Sequence, residues 1–443
     1  NTAANNTAVG KGAMAANTTG ANNVAVGSIA FDANTTGGQN VAIGYTAMGA
    51  QTTASNNVAV GNQALQTNQT GTELVAVGHE ALKANLGDAC VAVGFQALLA
   101  NTTGGSNIAI GSTALAANTT GSRNIGIGSN ANDSSDTEND NIAIGYNAMT
   151  TDSAGGLQNL AIGNYALQAL TSGDGNMALG HNAGYTVTTG SRNVGLGLSS
   201  LETNNADDNT AVGYNAMNAT TTGADNVAVG RDALVANTTG TRNVAVGKDA
   251  LKTSTTTGSN TAIGDNALKL SSSGTYLTAV GAGALDTNTT GAFNTAVGAV
   301  SMDANTTGSY NTALGAAALD ANTDSDNNTA LGAYALSDNS TGSENTAVGM
   351  EALKGNTTAE DNTAIGFSAL KANTTAENNV AVGARAMEAN TTGASNMAIG
   401  SRAMEANTTG TRNLGIGHEA YKNSDTENDN IAIGYYAMRT NTA

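Results

Sequence analysis

A glycine returns with a 17-residue beat along this 443-residue chain, and each time it closes an Asn-x-Ala-Val-Gly unit. The unit occurs 26 times, from Gly10 to Gly434, with Gly27, Gly44, Gly111 and Gly128 as typical members. Of the 25 intervals, 22 are identical, two are one residue shorter and one is one residue longer, so the phase never drifts by more than a single position. A fixed period of this length is the mark of a solenoid, in which one repeat is one coil that buries its apolar side only by stacking on its neighbours.

The residue before the glycine is Val, Ile or Leu in every coil, as at Val26, Ile43 and Ile110. Two before it stands Ala in 23 coils and Gly in the other three; three before it the residue is apolar or Thr, as at Val24, Ile108 and Thr295. Such β-branched runs favour extended backbone. Ala or Ser follows three after the glycine, and Leu or Met four after it in most coils. This reads as two short apolar strands per coil separated by polar turns. A helix is excluded, because two clusters recurring once per repeat sustain no 3.6-residue period and Asn, Thr and Gly crowd every window. The recurrent Asn-Thr-Thr-Gly segments, such as Asn17 to Gly20, read as turns in which Gly supplies a positive φ. The pattern predicts an all-β fold, a parallel β-roll or β-helix solenoid of about 26 coils, running as one continuous repeat domain over residues 1–443. At the interstrand spacing, 26 coils would extend roughly 120 Å.

Composition fits stacked coils better than a conventional core. There are 56 Gly, only 4 Phe, no Trp and no Pro, yet 40% of residues are hydrophobic. Proline would remove a ladder hydrogen bond wherever it stood in a strand. The net charge of −18 excludes a phosphate-binding surface, and hence nucleic acid as a partner. No run of 18 apolar residues suggests direct membrane insertion. The chain opens within the repeat, so a targeting segment would lie outside it, and neither end carries an atypical cap, so further modules are expected beyond both.

Asn occupies the position four before the glycine in 23 coils, among them Asn23, Asn40, Asn107 and Asn124; the exceptions are Leu74, Cys90 and Leu277. This predicts a buried amide ladder, with stacked side chains bonding one another and a turn. Cys90 then reads as a small apolar replacement. Along Val24-Ala25-Val26 the side chains alternate faces, and both faces are apolar in every coil. One face must point out of the coil, and an apolar stripe of that length needs a cover. Identical chains around a shared axis supply one, which predicts a homo-oligomer.

The tandem Asn-x-Ala-Val/Ile-Gly unit resembles the head repeats of YadA-like trimeric autotransporter adhesins. The longer Asn-Thr-Ala-Val-Gly-x-x-Ala-Leu-x-x-Asn-Thr-Thr-Gly coil is similar to repeats of phage and prophage tail fibres. The resemblance covers essentially the whole chain, although the adhesin repeat is usually shorter than this one. It implies a left-handed homotrimeric β-roll with the Asn-x-Ala-Val-Gly strands near the trimer axis. It implies an extracellular fibre of a virion that attaches to a host-surface glycan or protein receptor, with other fibre or baseplate proteins as partners. A bacterial cell-surface adhesin or filament subunit is the alternative. A third class, an ice-binding solenoid, is disfavoured because Thr clusters in turns and no regular Thr-x-Thr strand face exists.

No catalytic constellation and no cofactor motif stands out, so no enzyme is expected. His79, His181 and His418 share the column just after the glycine but lie in distant coils. Gly-x-Gly fragments such as Gly126-Ile127-Gly128 lack a nucleotide-binding context. Asp136, Glu138 and Asp140, beside Asp133, make an oxygen-rich turn worth weighing for a metal, which Asp425, Glu427 and Asp429 repeat, and a solvated acidic turn is the commoner use of such a cluster. The segment from Ser135 to Tyr146 recurs verbatim from Ser424 to Tyr435. Asn17, Asn34 and Asn101 head glycosylation-acceptor triplets that turn chemistry alone explains. The column after the glycine varies most, which suggests an outward position, and Tyr45, Tyr146, Tyr214 and Tyr435 there are candidate receptor contacts.

Overall fold

A computed structural model of the chain describes residues 3–151, 155–423 and 425–440; Ser424, which opens the second copy of the repeated acidic segment, lies outside them. The chain divides into two compact units, residues 1–222 and 223–443. In the first, three-residue strands from β1 (Thr7–Val9) to β13 (Thr210–Val212) pair in parallel, each with the next. In the second, β14 (Val227–Val229) to β26 (Ile431–Ile433) do the same. The protein is an all-β parallel solenoid with the 17-residue period of its sequence, and no helix occurs among the described residues.

Register follows the key glycines residue for residue, as in Thr7 opposite Val24 and Ala8 opposite Ala25. It holds where a coil is one residue shorter or longer: Val75 still faces Val91, and Ile142 still faces Leu160. The turns absorb the length change, because slipping a strand by one residue would turn its whole apolar set to the other face.

Among the described residues each coil has one strand, not two. The second apolar segment, Ala and Leu or Met after the glycine, is a turn in which alternate residues take positive φ. In the coil after Gly27 these are Ile29 at 48° and Phe31 at 53°. The alternation aims successive backbone donors in opposite directions along the stack. The Ile29 N–H donates to Lys11 O of the preceding coil at 2.8 Å, and the Phe31 N–H donates to Ala47 O of the following coil at 2.9 Å. A left-handed residue costs an L-amino acid about 1–2 kcal/mol. Against that stand the inter-coil hydrogen bonds and the complete burial of the side chain at the second left-handed position, as at Leu65, Leu82 and Leu98, worth about 1.5–3 kcal/mol each.

The key glycine is fixed twice over. Gly27 has φ 142°, and a Cβ on it would lie 2.8 Å from the carbonyl carbon of Gly44 in the next coil. The turn glycine differs from its sequence reading. Gly37 lacks positive φ; its constraint is steric, since a Cβ there would run into the backbone carbonyl oxygen of Ala54 in the next coil and lie 2.6 Å from Asn34 Oδ1. Ala54, Ala359 and Ala376 occupy the same column, so a small shift relieves that crowding.

Candidate functional site

The interior is occupied by structure. Between the first and last coils, the central strand Ala, the second Ala and the Leu or Met are buried, as Ala25, Ala30 and Leu65 show. The strand alanine therefore faces its own core, and close approach of a partner on that face is ruled out. Asn23, Asn40, Asn107 and Asn124 are fully buried, as expected, but they bond mainly to backbone. Asn23 Oδ1 accepts the Asn40 N–H at 2.9 Å, and Asn23 Nδ2 donates to Gly37 O at 2.9 Å. The side-chain ladder runs instead through the Asn of the Asn-Thr-Thr-Gly turns. Asn356, Asn373, Asn390 and Asn407 each donate from Nδ2 to the Oδ1 one coil back, at 2.8 to 3.0 Å. Asn34 and Asn101 belong to this ladder and are fully buried, so neither amide is open to glycosylation. Where the column changes to Ser254, Asn237 Oδ1 is left buried without a partner. Cys90 is buried, and desolvation pushes its thiol above the ordinary range, which keeps it in the unreactive protonated form.

The acidic turn does not assemble a cage. Glu138 is buried, and its Oε2 accepts from Ser135 Oγ at 2.8 Å and from the Asp136 and Thr137 N–H groups at 2.9 and 3.0 Å. Asp140 turns away into a bidentate pair with Arg123, at 2.5 and 2.8 Å, which holds its carboxyl below the usual range. Asp133 is pushed up by burial. No group of three His, Cys, Asp or Glu able to hold a metal occurs among the described residues. The second copy repeats the ion pair, with Arg412 on Asp429 at 2.6 and 2.8 Å.

Outward features are carried by columns. The first is the apolar stripe on either side of the strand alanine. Val26 is half-buried, Ile43 and Ile110 are 38% and 40% exposed, and Leu314 and Leu331 reach 44% and 42%. From β16 (Thr261–Ile263) to β22 (Thr363–Ile365) its first position is Thr in seven successive strands. The second column is the residue after the key glycine. Tyr45, Tyr146, Tyr214 and Tyr435 are all exposed there, as expected. Tyr146 meets Tyr165 edge-on, and Tyr435 lies against His418 and Tyr436.

The third column, five residues before the glycine, escaped the sequence reading. Its residues take positive φ, as at Asn22, Arg123, Tyr276 and Asp429, so their side chains stand at a corner of the coil. They pair vertically. Arg123 meets Asp140 and Arg192 meets Asp208 in ion pairs, while Tyr276, Phe293 and Tyr310 form a stack of three rings. Three aromatics exactly one repeat apart were the available signal. No helix among the described residues is long and apolar enough to cross a membrane. No protein-family model matches the chain, and neither does any curated protein.

Proposed function

We propose that this chain is a non-catalytic structural and attachment fibre of a virion, working extracellularly as a left-handed homotrimer that presents its outward columns to a host-surface glycan or protein. The observation that carries the reading is the apolar stripe. Its second outward position is Val, Ile or Leu in every strand, and in one unit it includes Ile43 and Ile110, in the other Leu314 and Leu331, all exposed in the single chain. A soluble protein rarely leaves such a surface wet, and a repeated surface is best matched by the identical surface of another copy in the same register.

The non-catalytic part rests on where the polar groups are used. Buried Asn side chains serve the coil backbone, and the acidic turn is closed by its own donors and by arginine. The virion context rests on the similarity of the coil to tail-fibre repeats. Fibre and baseplate proteins are the expected neighbours, and a bacterial surface adhesin is the competing context. Immunogold electron microscopy with antibody to this chain separates the two. Label on tail appendages of phage particles is expected; label confined to bacterial envelopes would reject the virion assignment.

A further inference from the structure

We infer that the first unit carries a preset parting line between the coils of Gly111 and Gly128, where the stack opens locally before it opens elsewhere in that unit. Each coil offers its core three inward positions: the strand Ala, the second Ala and the Leu or Met. The coil of Gly128 fills them with Gly126, Ala131 and Asn132, so a single methyl group is all the apolar surface it supplies there. Other departures from the pattern are milder. The coil of Gly197 has Gly195 and Ser200 but keeps Leu201, and the coil of Gly180 has Gly184 but keeps both alanines and adds Val187. The buried apolar side chains accordingly form one cluster from Met14 to Leu115 and a separate one from Ala131 to Val187.

Asn132 adds a polar cost to the apolar loss. It is fully buried, and neither its Oδ1 nor its Nδ2 has a hydrogen-bond partner. Its φ is 51°, a conformation that asparagine adopts more readily than leucine. Against that, an amide in an apolar core loses its hydrogen bonds to water and here gains none. The column's one other polar residue, Tyr421, is not stranded in this way, since its hydroxyl accepts from Asn430 Nδ2 at 2.5 Å.

The amide ladder of the turns stops at the same level. Asn118 Nδ2 donates to Asn101 Oδ1 at 2.6 Å, but the coil of Gly128 offers Ser135, whose hydroxyl donates to Glu138. Asn118 Oδ1 is left buried without a partner. The ladder also breaks at Asn237, but there Leu234 and Leu251 keep the apolar column whole. Between the coils of Gly111 and Gly128 both interior files fail together. The backbone ladder still crosses, with Ile108 donating to Asn124 O, Leu115 to Ala131 O and Gly128 to Ile110 O at 2.8 to 3.0 Å. A solenoid's stability is approximately a sum of coil and neighbour contributions, so the boundary with the poorest side-chain contacts parts at the lowest cost. The line belongs to the single chain and does not depend on what the chain attaches to.

Hydrogen exchange of the full chain, read at single amides, tests this. Ile108, Leu115 and Gly128 report on the line. Val58, Leu65 and Gly78 report on intact coils of the first cluster, and Leu234 and Gly247 on the boundary where only the turn ladder is broken. The first set should exchange about tenfold faster than either of the others, as a local opening does. Asn132→Leu restores the residue type of the column; it should slow the first set about tenfold and leave Leu234 and Gly247 unchanged. Equal protection of the three sets in the parent would overturn the inference, whatever the variant does, and this keeps the test decisive if the variant misfolds. Fast exchange across the line that a folded Asn132→Leu chain does not slow would overturn it as well.

Discussion

At the scale of single residues, both glycine columns face a backbone carbonyl of the next coil, but only the key glycine also has positive φ, and this gives the two columns different tolerances. Gly332 has φ 137°, and a Cβ on it would lie 2.6 Å from both the carbonyl carbon and oxygen of Gly349. Neither backbone can retreat without breaking inter-coil hydrogen bonds. Gly342, in a turn, lacks positive φ, and Ala359 fills the equivalent position one coil later. Gly332→Ala should therefore cost more than about 4 kcal/mol, in the exceptional range for one substitution, while Gly342→Ala should cost about 1–2 kcal/mol, as a modest overpacking does. Thermal and urea unfolding of the two variants measures the contrast; equal losses would show that backbone handedness is not what fixes the key glycine. The key glycine was legible because it never varies within the chain. The left-handed Ile29, Phe31 and Leu65 were not, since intrinsic preference argues against such residues there and only the inter-coil bonds made by the bent backbone reverse it.

At the scale of the coil, in-register stacking turns a residue type into a file, and a file of like charges has consequences. Asp286, Asp303 and Asp320 occupy one column in three successive coils. Desolvation pushes all three carboxyls above the ordinary range; for Asp286, Lys269 opposes the shift while Asp303 and Asp265 add to it. Asp286 Oδ1 and Asp320 Oδ1 are buried without partners. A carboxyl with a raised folded pKa binds its proton more tightly in the native state than in the unfolded chain. Its contribution to stability therefore falls as pH rises through the folded value, and is recovered as pH drops toward the unfolded value of about 3.9. Asp303→Asn should raise the unfolding midpoint at pH 7, and the gain should shrink as pH approaches 4. Melting curves of parent and variant at the two pH values decide it, and an equal gain at both would remove the electrostatic explanation. Such files were half visible in the sequence. The period showed which residues align, but whether a column faces in or out depended on the bend after each strand, so the turn Asn-to-Asn ladder and the corner aromatics were both missed.

At the scale of the whole molecule, the alternation along each strand decides which side needs a partner. Ala points into the coil, so the larger Val, Ile and Leu are left outside, the reverse of what a self-sufficient coil requires. Substitution can separate a lone chain from an assembled one. Leu314 and Leu331 are already 44% and 42% exposed, so lysine at both positions should leave an isolated chain nearly as stable as before. Buried between copies, the same ammonium groups would be desolvated without a counter-charge, a cost of several kcal/mol each. The parent, at 43.5 kDa per chain, should sediment as three copies, and Leu314→Lys/Leu331→Lys as single folded chains or as aggregate. A parent that sediments as one well-folded chain would mean that water covers the stripe, and the physical basis for a trimeric fibre would be gone.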